Sequence, residues 1–176
     1  MEPFKIHILG CGSALPTLRH NPSAQVVEIR EKQFLVDCGE GTQLQMRRSK
    51  IGFNRLCAVF ISHIHGDHCF GLIGMLSSFG LLGRTMPLAI YAPKELKPVL
   101  DMLLETFCND FDYEIQFHAV DTTRQEVVYE DRSLTVETIP LKHRLRRVVT
   151  QCGQGAAASK DMNFKWFHIR LIISDA

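Results

Sequence analysis

The sequence predicts an α/β chain whose strands and helices follow in the order of half a four-layer αβ/βα sandwich. Three observations predict it. Short alternating or wholly apolar runs mark strands, and leucines at helical spacing mark a helix between two of them. A composition of 45% hydrophobic and 22% charged residues over 176 positions suits one domain with a real core and gives no case for disorder. Four metal-capable side chains sit within six residues where one apolar strand ends, a common place for sites in α/β folds.

Residues 4–9 alternate and predict the first strand. Gly10 and Gly12 allow a close backbone turn, and a polar loop over 16–22 carries Arg19, His20 and Asn21. Residues 23–30 and 33–37 predict two strands joined as a hairpin at Glu31-Lys32. Asp37-Cys38-Gly39-Glu40-Gly41 ends that pair. Residues 42–49 then predict a short helix, with Leu44 and Met46 as apolar contacts and Arg47, Arg48 and Lys50 toward solvent. Residues 57–62 read as a buried strand. Despite Gly71, Gly74 and Gly80, residues 72–82 predict a buried helix closed by Gly83-Arg84-Thr85. Residues 87–91 are a strand. Pro93 opens a helix to about Phe107, on which Leu96, Val99, Leu100, Leu103 and Leu104 form a core-packing stripe. Residues 113–120, 127–129 and 134–139 complete the strands, and His7 and His118, inside strands without a partner motif, are expected to be structural.

A net charge of +1 provides no global basic field, so any nucleic acid must be held by local basic patches. No apolar run is long enough to span a bilayer, and residues 1–8 lack a signal peptide's apolar core, so no membrane contact and a cytoplasmic location are expected. Six cysteines without C-x-x-C pairs or regular spacing read as free thiols packed as small hydrophobes.

The rest is organised around His63-Ile64-His65-Gly66-Asp67-His68. His63 and His65, two apart in extended backbone, point to the same side. Gly66 lets the chain bend tightly, so that Asp67 and His68 follow. One pair can face one metal ion and the second pair another. Imidazole nitrogen with carboxylate oxygen suits zinc ahead of manganese or iron. A lone histidine beside an apolar strand is ordinarily a packed or surface residue, but three with an aspartate at this spacing are a metal motif. Cys69 is not assigned as a ligand, because Phe70 and Leu72 suggest that the chain has turned inward there. Asp37 is either a turn former or a carboxylate that holds a metal-bound histidine by its other nitrogen.

The H-x-H-x-D-H pattern after an apolar strand resembles the metallo-β-lactamase superfamily. Five further stretches, taken in order, narrow the resemblance to the ribonuclease Z family. They are Leu9-Gly10-Cys11-Gly12-Ser13-Ala14-Leu15-Pro16-Thr17, Val36-Asp37-Cys38-Gly39-Glu40-Gly41-Thr42-Gln43, Gly71-Leu72-Ile73-Gly74, Leu88-Ala89-Ile90-Tyr91-Ala92-Pro93 and Pro140-Leu141-Lys142-His143-Arg144. The resemblance implies a metallo-β-lactamase-type αβ/βα sandwich and a zinc-dependent endoribonuclease that removes 3′ trailers from precursor tRNA. It implies two zinc ions, one on His63, His65 and His143 and one on Asp67 and His68. Asp67 would also be catalytic, taking a proton from the attacking water. Arg19, Arg47, Arg48 and Arg84 are candidate RNA-phosphate contacts, each readable instead as a solvated surface charge.

The likeness runs from about Phe4 to Arg144 and stops. The family's later metal ligands, its general-acid histidine and its tRNA-gripping arm lie beyond that point. Asp161, His168 and Asp175 stand in other contexts and are not assigned those roles. The sandwich is therefore expected to be incomplete, with residues 1–145 as a truncated metallo-β-lactamase-like domain and 146–176 as a divergent tail. Residues 145–150 read Leu-Arg-Arg-Val-Val-Thr, and adding one base to a permitted codon set gives Leu-Pro-Ser-Cys-Gly-Tyr, the family's continuation. The tail is thus expected to be out-of-frame peptide. Its apolar segment 164–173 has no obvious sheet partner, and would either add a strand or cover an exposed core face. Half a sandwich leaves an apolar surface, which predicts a homodimer. The alternatives in function are a catalytically defective zinc-binding fragment and another metallo-β-lactamase-fold hydrolase acting on a thioester, lactam or small phosphodiester.

Overall fold

The computed structural model describes residues 4–15, 17–108, 111–141 and 166–173. β1 (Lys5–Gly10) pairs antiparallel with β2 (Ala24–Ile29), which turns back into β3 (Lys32–Val36). Parallel crossovers follow. α1 (Thr42–Arg48) leads to β4 (Leu56–Phe60), and α2 (Gly66–Cys69) with α3 (Gly71–Leu81) leads to β5 (Leu88–Pro93). α4 (Leu96–Phe107) leads to β6 (Ile115–Val120). These strands form one mixed sheet in the order β1-β2-β3-β4-β5-β6. β7 (Val127–Glu130), β8 (Leu134–Leu141) and β9 (Trp166–Ile173) form a second, antiparallel sheet.

Strands that are apolar on both faces need cover on both faces. On one side Val26, Leu35, Val59 and Ile90 pack with Met46 of α1, Met75, Leu76 and Phe79 of α3, and Leu100 of α4. On the other, Val27, Ile29, Phe34, Ala58 and Phe60 pack with Leu134 and Val136 of the second sheet. The layering is helices, sheet, sheet, as expected for part of an αβ/βα sandwich. Asp131 fastens the second sheet to the β2–β3 hairpin. Its carboxylate accepts from Lys32 Nζ at 2.5 Å, from the Tyr129 hydroxyl at 2.8 Å and from the Ser133 and Leu134 N–H groups. Burial alone would raise this carboxyl, but those donors overcome it and hold it at about 2.

Several local expectations shift. The hairpin turns at Arg30 and Glu31, whose φ values of 48° and 63° make a two-residue turn of the type that suits strand twist. No glycine or asparagine marks it. Leu44 is 54% exposed while Met46 is fully buried, because only one side of a seven-residue helix can face the sheet. On α4 the packing stripe narrows to Leu100, with Leu96 and Leu104 partly buried and Val99 left out. Tyr113 precedes its strand, and its hydroxyl donates to the Leu76 carbonyl. The apolar tail segment does have a sheet partner: β9 pairs with β8 from Leu134↔Ile173 to Leu141↔Trp166. His7 lies 3.5 Å from Glu28, and His118, although exposed, stacks on Tyr91 with ring centroids 4.6 Å apart.

Candidate metal centre

β4 ends at Phe60 beside the end of β3, and the chain then runs extended to His65 before turning into α2. This carries three imidazoles across the carboxyl edge of the parallel strands, where α/β sites form. The His63 and His65 rings lie 4.8 Å apart and those of His63 and His68 4.0 Å apart, so all three gather at one place. Gly66 serves differently from the expected tight bend. It is absent from the glycines with positive φ, and a Cβ there would fall 2.3 Å from the Phe70 ring. The site for glycine is set by that ring, and Phe70 itself is 66% exposed rather than turned inward.

Asp37 follows β3 with φ 58° and is 5% exposed. It is a turn residue and a histidine partner at once. Oδ1 accepts from the Ser62 N–H at 2.9 Å and the Ser62 hydroxyl at 2.7 Å, and Oδ2 accepts from the Ser23 hydroxyl at 3.3 Å. Oδ2 also lies 2.7 Å from His68 Nδ1. An Nδ1–H held this way directs Nε2 outward as the position open to a cation. That Nε2 is 3.5 Å from Asp67 Oδ2, and Asp67 Oδ2 accepts the Ala14 N–H at 2.7 Å. Burial lowers the His68 pKa, but the Asp37 hydrogen bond and the two carboxylate charges outweigh it and raise the value. Burial and then the neighbouring His68 push His63 down to about 4, which keeps it neutral, the form that binds metals.

Backbone contacts brace these loops. Cys38 N–H donates to the His68 carbonyl at 2.8 Å and Gly71 N–H to the Cys38 carbonyl at 2.9 Å. A Cβ at Gly71 would sit 1.9 Å from the Gly39 carbonyl oxygen, so only glycine permits this approach. Cys69 donates its thiol to the His65 carbonyl, and burial with the nearby Asp37 and Asp67 charges pushes it up to about 11, far from the thiolate a metal needs.

His143 lies outside the described residues. Among the described residues, no group of three or more His, Cys, Asp or Glu side chains is arranged to hold a metal ion. The donor chemistry nevertheless fits a divalent cation, with neutral imidazole at His63, an outward Nε2 at His68 fixed by Asp37, and the Asp67 carboxylate beside it.

The candidate phosphate contacts separate. Arg19 is exposed on the loop that Ala14 ties to Asp67. Arg47 and Arg48 are exposed at the far end of α1, away from the histidine loop. Arg84 is no surface cation at all. It is 1% exposed and donates to the carbonyls of Phe53, Leu56, Met86 and Pro87, of which the Phe53 oxygen also accepts the Leu56 N–H. Sequence reasoning missed Ser62, Ser23 and the Ala14 N–H. A hydroxyl directly before the first metal-motif histidine was the one signal available for any of them.

The family model described as Anti-Pycsar protein Apyc1 matches residues 4–169. A ribonuclease Z of Bacteroides fragilis is 58% identical over 145 residues, 82% of this chain and 48% of the relative. One from Phocaeicola vulgatus is 57% identical over 82% of this chain and 47% of the relative. The chain thus spans about half the length of the curated relatives it matches. The crystal structure of the short form of human tRNase Z superposes with a TM-score of 0.76 at 24% identity, over 98% of this chain and 65% of that one, a likeness of fold.

Proposed function

The chain belongs to the metallo-β-lactamase-fold family described as Anti-Pycsar protein Apyc1, beside the ribonucleases Z, and on that premise we propose a zinc-dependent endoribonuclease that removes 3′ trailers from precursor tRNA. The observation that carries it is the gathering of His63, His65 and His68 around a buried carboxylate partner, Asp37. His63, His65 and His143 would hold one zinc, and Asp67 with His68 a second. Zinc, when bound, supplies Lewis acidity that ionises water near neutral pH and offsets charge on phosphate oxygens. The chain's own groups do the rest. Asp37 keeps the His68 proton on Nδ1, the Ala14 N–H aims Asp67, and Asp67 accepts a proton from water. Arg19, on the adjoining loop, would meet an RNA phosphate. Arg47 and Arg48 would reach only RNA that extends past the catalytic edge.

Residues 1–145 are proposed as the domain and 146–176 as a divergent tail; the relatives' matches cover 82–84% of the chain, while the family model extends to residue 169. An out-of-frame origin for the tail is tested by resequencing the gene. A ribonuclease Z frame continuing downstream supports it, and an in-frame stop with no such frame ends it. The protein is proposed to be cytoplasmic and homodimeric; no helix among the described residues is long and apolar enough to cross a membrane.

A second reading is a zinc-binding fragment without catalysis. Metal content together with precursor-tRNA cleavage separates the two. Stoichiometric zinc with cleavage lost in His65→Ala supports the nuclease, and zinc without cleavage supports the fragment. Turnover of a small phosphodiester but not of precursor tRNA points instead to another hydrolase of the fold.

A further inference from the structure

At the end of the sheet opposite the histidine loop, just before β4 begins, a cavity of about 280 Å³ is lined by Arg47, Arg55, Arg84, Phe53, Phe79 and Leu82. Its remaining lining residues, Gly52 and Asn54, are uncharged, so among the described residues the lining holds three arginines and no carboxylate. Arg84 makes this unusual. A buried cation is ordinarily paired with an acid, yet at 1% exposure Arg84 is met by four carbonyl dipoles and by the faces of Phe79 and Tyr113, 5.5 and 5.6 Å from its centre. Those contacts engage four of its five N–H donors without cancelling its charge. Arg55 has an acid near it only at 3.9 Å, from Glu28, which is not part of the cavity wall. Arg47 is exposed at the cavity rim.

Apolar walls focus the field of charges placed among them. Half-buried Phe53 and exposed Leu82 form the apolar floor, the Phe53 ring backed at 4.8 Å by that of the fully buried Phe79. The volume is at the lower end of small-molecule sites. We propose that this cavity binds a small organic anion, a phosphate or carboxylate borne on an apolar or aromatic body, at a site separate from the metal centre. The head would meet the Arg47 and Arg55 guanidinium groups under the field of Arg84, and the body would rest on Phe53 and Leu82. Neither the fold nor the histidine cluster requires such a site, so it stands or falls independently of the nuclease reading.

The test is calorimetric titration of the full chain with phenyl phosphate, benzoate and inorganic phosphate, repeated on Arg47→Ala/Arg55→Ala and on His65→Ala. At least one aromatic anion should bind, and the double variant should weaken it by about tenfold or more through loss of two charge-assisted contacts. His65→Ala should leave binding within about twofold, since it alters only the metal loop. Whichever of phenyl phosphate and benzoate binds more tightly identifies the head group. The proposal is overturned if neither aromatic anion binds, if the double variant binds as well as the parent, or if His65→Ala abolishes binding. It is also overturned if inorganic phosphate binds as tightly as phenyl phosphate, because the apolar floor would then contribute nothing.

Discussion

Asp37 shows how much one buried carboxylate organises. It joins the end of β3 to the histidine loop through Ser62 and sets the orientation of His68. Asp37→Asn keeps the size and tolerates the positive φ, but removes the charge that supports His68. Zinc affinity, measured by chelator competition, should fall by roughly 10- to 100-fold, with little change in fold. Arg84→Met is the opposite kind of change. It takes a donor from four carbonyls, of which that of Phe53 has the Leu56 N–H in addition, and should cost several kcal/mol, about 3 or more, in urea unfolding, while the histidine loop keeps its local contacts. The sequence disclosed the first residue and not the second. A strand-end aspartate before glycines, read beside a histidine motif, has few roles. The burial of Arg84 depends on carbonyls of two segments, 53–56 and 86–87, and the first lies far from it in sequence.

At the scale of elements, the strands and helices were legible from periodicity, because their burial follows period two or the helical stripe. The β2–β3 turn was placed a residue off, since Arg30 and Glu31 adopt positive φ without the glycine that usually announces it. The partner of β9 was illegible because an apolar run specifies burial and not a neighbour. Asp131 carries the link between the sheets, and its depressed carboxyl gives that link a pH dependence. A carboxyl lower in the folded chain than its ordinary 3.8 stabilises fully above that value, and the contribution is lost as pH falls toward about 2. Asp131→Asn should therefore lower stability at neutral pH by on the order of 1–2 kcal/mol and flatten the acid limb of the unfolding curve between about pH 4 and pH 2. A variant as acid-sensitive as the parent would remove Asp131 from that role.

At the scale of the molecule, an apolar strip among the described residues is left exposed beside the second sheet. Ile6 pairs with Val27 and so shares its face, yet Phe4, Ile6 and Ile8 are 42%, 54% and 61% exposed. This edge supports the proposed homodimer. Sedimentation should show self-association of the parent that Ile6→Lys/Ile8→Lys reduces, and a monomeric parent would contradict it. The gathering of the histidines was legible at this scale because their spacing survives translation into geometry. Two histidines separated by one residue, at the exit of a buried strand, arrive on one side of the sheet edge whatever the surrounding loops do. The loop contacts from Ser23 and Ala14 come from distant sequence and leave no such trace.

The most direct measurement of the central claim is zinc content by mass spectrometry on the purified chain and on His63→Ala/His65→Ala, after equal dialysis. The parent should retain stoichiometric zinc and the double variant should lose most of it while keeping a cooperative unfolding transition. Equal zinc in the two proteins, or none in either, would contradict a metal centre built on this loop.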